Sequence, residues 1–376
     1  MTSPLAGVRV VEFGHYIAAP AATQLLSDLG AEVVKVEPPT GDQARGIGAY
    51  GEGIVLAYNR GKRSVVLDLK LAEDRDAALE LVMAADVVVQ NLRAGTMARH
   101  GLGPDDVLPA HPRLVYVSVS GFSSRSPSAR RPGLDIAAQA ESGLMSVTGE
   151  QDGDPLRVGI PIADVAAGHA VVQAVLAALL RRERTGRGGF AEVSLLDAAI
   201  HLQSAMWGEW HVTGQEPRRK GNGQATVAPA ADLVHTADGC IVLSAYTPEH
   251  FARLCRFIGK EWMTGDPRFA DNPARVAHRA VLLAEIQQVL GTMPTTECLA
   301  RLADHGLVAA AVRGYQEVAA AEDVRASGVL TTGIAPDGTR YPVPSLPFRL
   351  DGVEPAADRA VPRLGADTDT LPGRSP

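Results

Sequence analysis

Residues 7–37, GVRVVEFGHYIAAPAATQLLSDLGAEVVKVE, carry two hydrophobic periods in one short stretch. GVRVVEF (7–13) is a Val-rich run, the pattern of a strand buried on both faces. AATQLLSDLG (21–30) takes helical spacing and ends at Gly30, a residue suited to a left-handed helix cap. AEVVKVE (31–37) is a second strand, stopped by Pro38 and Pro39. Strand, helix and strand within thirty-odd residues predict a parallel pair joined by a right-handed crossover.

The same texture continues outward. SVVLDL (64–69), DVVVQN (86–91) and RLVYVSVSG (113–121) read as further strands, and EDRDAALELVMAA (73–85) as a helix between two of them. This alternation predicts an α/β fold with a parallel sheet. A polar loop follows, FSSRSPSARRPG (122–133), then a helix over 135–145, a Gly/Asp loop, and a long apolar helix from Asp164. That helix ends in RRERTGRG, whose basic residues suit the negative helix end and whose Gly186 suits a cap. The texture changes near residue 225. DLVHTADGCIVLSAY reads as a hairpin over Asp238-Gly239, and helices follow at 248–258, 276–292 and 296–304. The reading is a large domain over 1–200, completed by about 330–376, and a smaller α+β domain over 225–325.

The bulk numbers exclude several classes. The chain has 376 residues, 46% hydrophobic and 21% charged, with a net charge of −7. Such a composition fits a folded globular protein and gives no basic surface for nucleic acid. The three cysteines, Cys240, Cys255 and Cys298, form neither a disulfide framework nor a metal-ligand spacing, as expected in a reducing cytoplasm. The N-terminus lacks the basic and apolar regions of a signal peptide. The apolar run at 164–180 contains His169 and Gln173 and reads as too short and too polar for a bilayer span. No metal and no membrane are therefore expected.

The candidate chemistry is local. GIGAYG (46–51) matches G-x-G-x-x-G but does not open the first helix, so it reads as a glycine loop rather than a dinucleotide fingerprint. NRGKRS (59–64) and QNLRAGTMARHG (90–101) flank strands, where basic groups hold phosphate or simply face water. Asp164 has two readings. It is a preferred N-cap at a helix start, or it is a carboxylate kept reactive for attack on a carbonyl. His169, five residues on, lies about 140° around the helix and is a poor partner for it. The Gly-x-Ser-x-Gly and His-Glu-x-x-His signatures are absent.

Several motifs taken together resemble the class III CoA-transferases, the family that includes α-methylacyl-CoA racemase. They are PLAGVRVVEFGHYIAAPAATQLLSDLGAEVVKVEPPTGDQAR, NRGKRSVVLDL, ADVVVQNLRAGTMARHGLG, RPGLDIAAQAESGLMSVTG and VGIPIADVAAGHAVVQAVLAALLRRERTGRGGFAEVSLLDAAI. The resemblance implies a Rossmann-like large domain, a small domain and an interlocked-ring homodimer. It implies coenzyme A as part of an acyl-CoA substrate, a carboxylic acid as acceptor, and Asp164 as nucleophile. The implied CoA contacts are Ile17, Ala18, Asn59, Arg60, Gly61, Lys62, Asn91, Leu92, Arg93 and Arg99. Gly133 and Asp135 are implied at the thioester end, and Gly221, Asn222, Gly223 and Gln224 form an implied shielding loop. Two alternatives share the resemblance: a 2-methylacyl-CoA racemase and a CoA-binding protein without turnover. The racemase branch carries Gly-His-Asp where this chain has Gly133-Leu134-Asp135, and leucine moves no proton.

Overall fold

The computed structural model describes residues 3–223, 230–351 and 358–371. Contacts divide it into two compact units. The first comprises Met1–Leu144, Arg157–Gln215 and Glu322–Pro376; the second comprises Met145–Leu156 and Glu216–Ala321.

The first unit is built on six parallel strands: β1 (Arg9–Phe13), β2 (Glu32–Glu37), β3 (Arg63–Val66), β4 (Val87–Gln90), β5 (Val115–Ser120) and β6 (Gly189–Ser194). Their spatial order is β3-β2-β1-β4-β5-β6, the doubly wound arrangement. The Val-rich strands bury both faces as their composition predicts: Val87, Val88, Val89, Val115 and Val117 are all fully enclosed. One face packs against the first helix (Ala18–Asp28) and the long helix (Ile162–Thr185).

The long helix has 24 residues and begins two residues before Asp164, and by length and composition alone it could cross a membrane, whereas its apolar run at 164–180 reads as too short. Its buried stripe of Ala163, Ala167, Val171, Val175 and Leu179 instead joins the sheet's core. Gly186 ends it in the left-handed conformation. The GIGAYG stretch is not a loop. A short 3-10 turn (Gln43–Gly46) leads into a helix (Gly48–Tyr58) that buries Ile54 and Val55, so tertiary packing overrides the weak helix propensity of its glycines.

The chain end returns to the first unit. β10 (Leu330–Ile334) and β11 (Arg340–Pro344) form a hairpin, and β12 (Arg359–Ala360) pairs with β10. Asp367 and Thr368 then bond to Ser64 and Val66, covering the outer edge of β3. In the second unit, β7 (Asp232–His235), β8 (Cys240–Ser244) and β9 (Val308–Ala311) form an antiparallel sheet. Phe251, Leu254, Phe269, Leu282 and Ile286 build its core.

Candidate active site

The strand order places a topological switch point between β1 and β4, where open α/β sheets receive ligands beyond the strands' carboxyl ends. The two loops there are clasped by Asn91. Its Oδ1 accepts from the His15 amide at 2.9 Å, and its Nδ2 donates to the His15 carbonyl at 2.9 Å. Tyr16 takes a φ of 58°, strained for a residue with a Cβ. Its amide donates to Asp42 Oδ1 at 3.0 Å. Ile17 and Ala18 then open the first helix without a side-chain cap. Both residues are buried, and among the described residues no side chain caps their amides. Leu92 packs inward, while Arg93 and Arg99 stay exposed beyond β4.

The NRGK segment has a different job from the phosphate contacts expected of it. Lys62 is enclosed, and its Nζ donates to Glu12 Oε2 at 2.7 Å, Thr23 Oγ1 at 2.8 Å and the Pro20 carbonyl at 3.0 Å. Arg60 is paired with Asp28 at 2.6 Å and donates to the Pro344 carbonyl. Asn59 is buried against the Val55 carbonyl. Gly61 turns with a φ of +71°, and the Arg359 side chain occupies the space a Cβ would need. Arg60 and the Gly61 amide reach the chain's return, Lys62 ties the sheet to the first helix, and the Asn59, Arg60 and Lys62 side chains each already have protein partners.

Asp164 does not cap its helix. Pro161 holds the N-cap position, and Asp164 sits in the first turn. The cap comes from Asp135, 29 residues upstream. Its Oδ1 accepts from the Ala163 amide at 2.8 Å and the Asp164 amide at 3.2 Å, and its Oδ2 accepts from Gln139 Nε2 at 2.6 Å. The buried Asp135 carboxylate is thus spent on backbone, rather than lining a ligand path as expected. Gly133 meets Gly121 so closely that a Cβ on it would fall 2.7 Å from the Gly121 Cα, which fixes the turn before Leu134.

The Asp164 carboxylate, partly exposed, receives no hydrogen bond among the described residues. Burial pushes its pKa up to about 7, and the neighbouring Asp135 charge adds to the rise. Across from it, burial and then the Asp164 charge raise the phenol of Tyr58. A carboxylate free of partners and ionising near neutrality is a candidate nucleophile or base. His169 is exposed and lines a shallow groove of about 370 Å³ with Gln173, Asp197 and His201; it makes no pair with Asp164. Among the described residues no three His, Cys, Asp or Glu side chains are grouped to hold a metal. Gly221, Asn222 and Gly223 belong to the second unit, where the Gly221 amide donates to the Gly149 carbonyl. Gln224 lies outside the described residues.

Replacing Asp135 by asparagine separates its two effects on Asp164. The amide Oδ1 still accepts the helix N–H groups, while the like charge is gone. Because that charge raises the Asp164 pKa, its removal is expected to lower it. Any reaction needing ionised Asp164 should then keep its rate to lower pH. The pH profile of kcat/KM in parent and variant reads this, and an unmoved acidic limb would refute it.

Comparison with known proteins gives a consistent answer. The sequence model of "CoA-transferase family III" matches residues 5–368. The chain is 38% identical to the probable fatty acyl-CoA transferase Rv3272 of Mycobacterium tuberculosis, over 84% of each chain. It is 35% identical to a succinate–glutarate CoA-transferase of Agrobacterium fabrum, over 96% of this chain and 93% of that one. Among solved structures, a CAIB/BAIF family protein from Brucella suis superposes with a TM-score of 0.89 at 32% identity, covering 99% of both chains.

Proposed function

The chain belongs to CoA-transferase family III, and from that premise we propose that it moves CoA from an acyl-CoA thioester to a free carboxylic acid by covalent steps on Asp164. The observation that carries this reading is the unspent carboxylate: Asp135 supplies the helix cap, so Asp164 keeps both oxygens for carbon. Curated relatives are named for fatty acyl, oxalate, mesaconate and glutarate transfer, so the reaction class is common to them while the acids differ.

The steps balance without a metal or an oxidant. An Asp164 oxygen attacks the thioester carbonyl; the C–S bond breaks, and CoA leaves as thiolate from a mixed anhydride. The thiolate attacks the Asp164 carbonyl carbon, releasing the donor acid and leaving an aspartyl-CoA thioester. The acceptor carboxylate attacks that thioester and frees the thiolate again. The thiolate then takes the acceptor's acyl carbon and restores Asp164. Each hard exchange becomes two easier displacements.

CoA itself is assigned to the switch point. The uncapped N-terminus of the first helix at Ile17 and Ala18, together with the exposed Arg93 and Arg99, suits its phosphates, and Asn91 fixes the loop between them. We also carry the homodimer as part of this reading. The Ser204–Thr213 helix buries none of its residues and shows Trp207 and Trp210 to solvent, an apolar face that a second copy would cover.

Incubation with an acyl-CoA donor followed by hydroxylamine should convert Asp164 to its hydroxamate, read by peptide mass spectrometry. Absence of an adduct with every donor in a broad panel would overturn the covalent reading.

A further inference from the structure

Around Asp164 the chain leaves large aliphatic side chains in water. Leu134, Ile136 and Ile160 are 62%, 53% and 46% exposed. They are held at one place by Gln139. Its Nε2 donates to Asp135 Oδ2 and, at 3.4 Å, to the Ile160 carbonyl, while its Oε1 accepts from the Val158 amide at 2.8 Å. Asp135 in turn holds the Ala163 and Asp164 amides. Leu134 and Ile136 flank Asp135 in the chain, and Ile160 precedes the helix by two residues, so the backbone of all three is tied to the helix turn that carries Asp164. Val165 and Tyr58 pack on an adjoining apolar cluster with Ile17.

Burial and then the Asp135 carboxylate raise the pKa of Asp164. Arg131 bonds to Glu141 and lies over the Phe122 ring at 4.1 Å from its centroid. Arg157 is exposed, three residues before Ile160. A second carboxylate on the substrate would meet two acidic groups and these aliphatic side chains, which is unfavourable without a partner.

We infer that the acyl group handled at Asp164 is apolar and monocarboxylic, its chain lying against Leu134, Ile136 and Ile160. This rests on Asp164 being the acyl acceptor, because the chain attached to the reacting carbonyl must run past the groups around that carboxylate.

The test uses the full-length protein and the rate of hydroxylamine-trapped label at Asp164. Donors are butyryl-, hexanoyl- and octanoyl-CoA against succinyl- and glutaryl-CoA. The expected kcat/KM rises with chain length, by up to about fourfold per methylene that these side chains bury, and the dicarboxylyl donors fall at least tenfold below butyryl-CoA. Leu134→Ser and Ile136→Ser should each lower the octanoyl-to-succinyl ratio. Arg157→Ala should leave the apolar donors unchanged. Labelling by succinyl- or glutaryl-CoA as fast as by octanoyl-CoA, lost in Arg157→Ala, would overturn the inference while leaving covalent catalysis intact. No label with any donor would remove the enzyme reading itself, and this inference with it.

Discussion

Asp164→Asn is expected to lower CoA transfer by on the order of a thousandfold or more, as removing a covalent nucleophile does, with the fold intact. Two effects could confuse this result, and the structure separates them. Loss of an N-cap costs about 0.5–2 kcal/mol, but here Asp135 provides the cap, so that cost should not appear. The second effect is ionisation. Asp164 releases its proton near pH 7 in the folded chain, against an ordinary value of 3.8. Its folded pKa is raised, so between about pH 4 and 7 the unfolded chain is the more ionised one, and stability falls as pH rises through that window. Asparagine carries no such penalty. The variant should therefore melt at the same temperature as the parent at pH 4 and slightly higher at pH 8. Thermal scans at both values, beside activity, decide the matter. An inactive variant that melts several degrees lower at pH 8 would mean that Asp164 is structural.

The sequence made the sheet legible because its strands are buried on both faces. Runs such as Val87–Val89 have one environment on every side, and a strand buried twice is read from composition alone. The long helix was legible for a related reason, its apolar stripe being unbroken over many turns. Lys62 was not legible. A lysine in a polar run before a strand looks like a surface charge, and only the three-dimensional fold brings Glu12 and Thr23 around it. Asp135 escaped for the same reason in reverse. Capping is normally sought within three or four residues of a helix start, and this cap arrives from another helix 29 residues away. The glycine stretch at 46–51 shows the limit of local propensity: two aliphatic residues finding a core outweigh the three glycines of that helix. Tyr16 and Asp42 gained meaning only from the fold, which brings the two together. The loops that hold Ile17 and Asn91 were marked by the resemblance, and the strand order adds that they are neighbours.

The buried network beneath that switch point carries the largest expected effect on stability. Glu12 on β1 is fully enclosed and shared by two lysines: Lys35 Nζ lies 2.6 Å from Oε1, and Lys62 Nζ 2.7 Å from Oε2. Lys35 also pairs with Asp42 at 2.9 Å. Burial opposes the Glu12 charge, but the two ammonium groups overcome it and hold the carboxyl down to about 2. Lys35, with two carboxylates, is held above its ordinary value. For Lys62 burial prevails, and its pKa falls to about 8. Glu12→Gln leaves two buried ammonium groups without their shared counter-charge, and is expected to cost about 3–5 kcal/mol, measured by urea unfolding at pH 7. Because the folded pKa of Glu12 is depressed, its contribution is fully present above pH 4.5 and is lost as pH falls toward about 2; the variant should show a shallower acid limb. The triple replacement Glu12→Met, Lys35→Met, Lys62→Met removes the three charges that meet at Glu12 and should recover part of the loss, the rest being held back by Asp42, which it leaves buried and unpaired. It should not recover the loop. Without Lys35, Asp42 loses its buried partner while still holding the Tyr16 amide, so thermal protection by CoA should be weaker in the triple variant than in the parent. A Glu12→Gln protein within 1 kcal/mol of the parent would show that water reaches these groups and that the network does not organise the site.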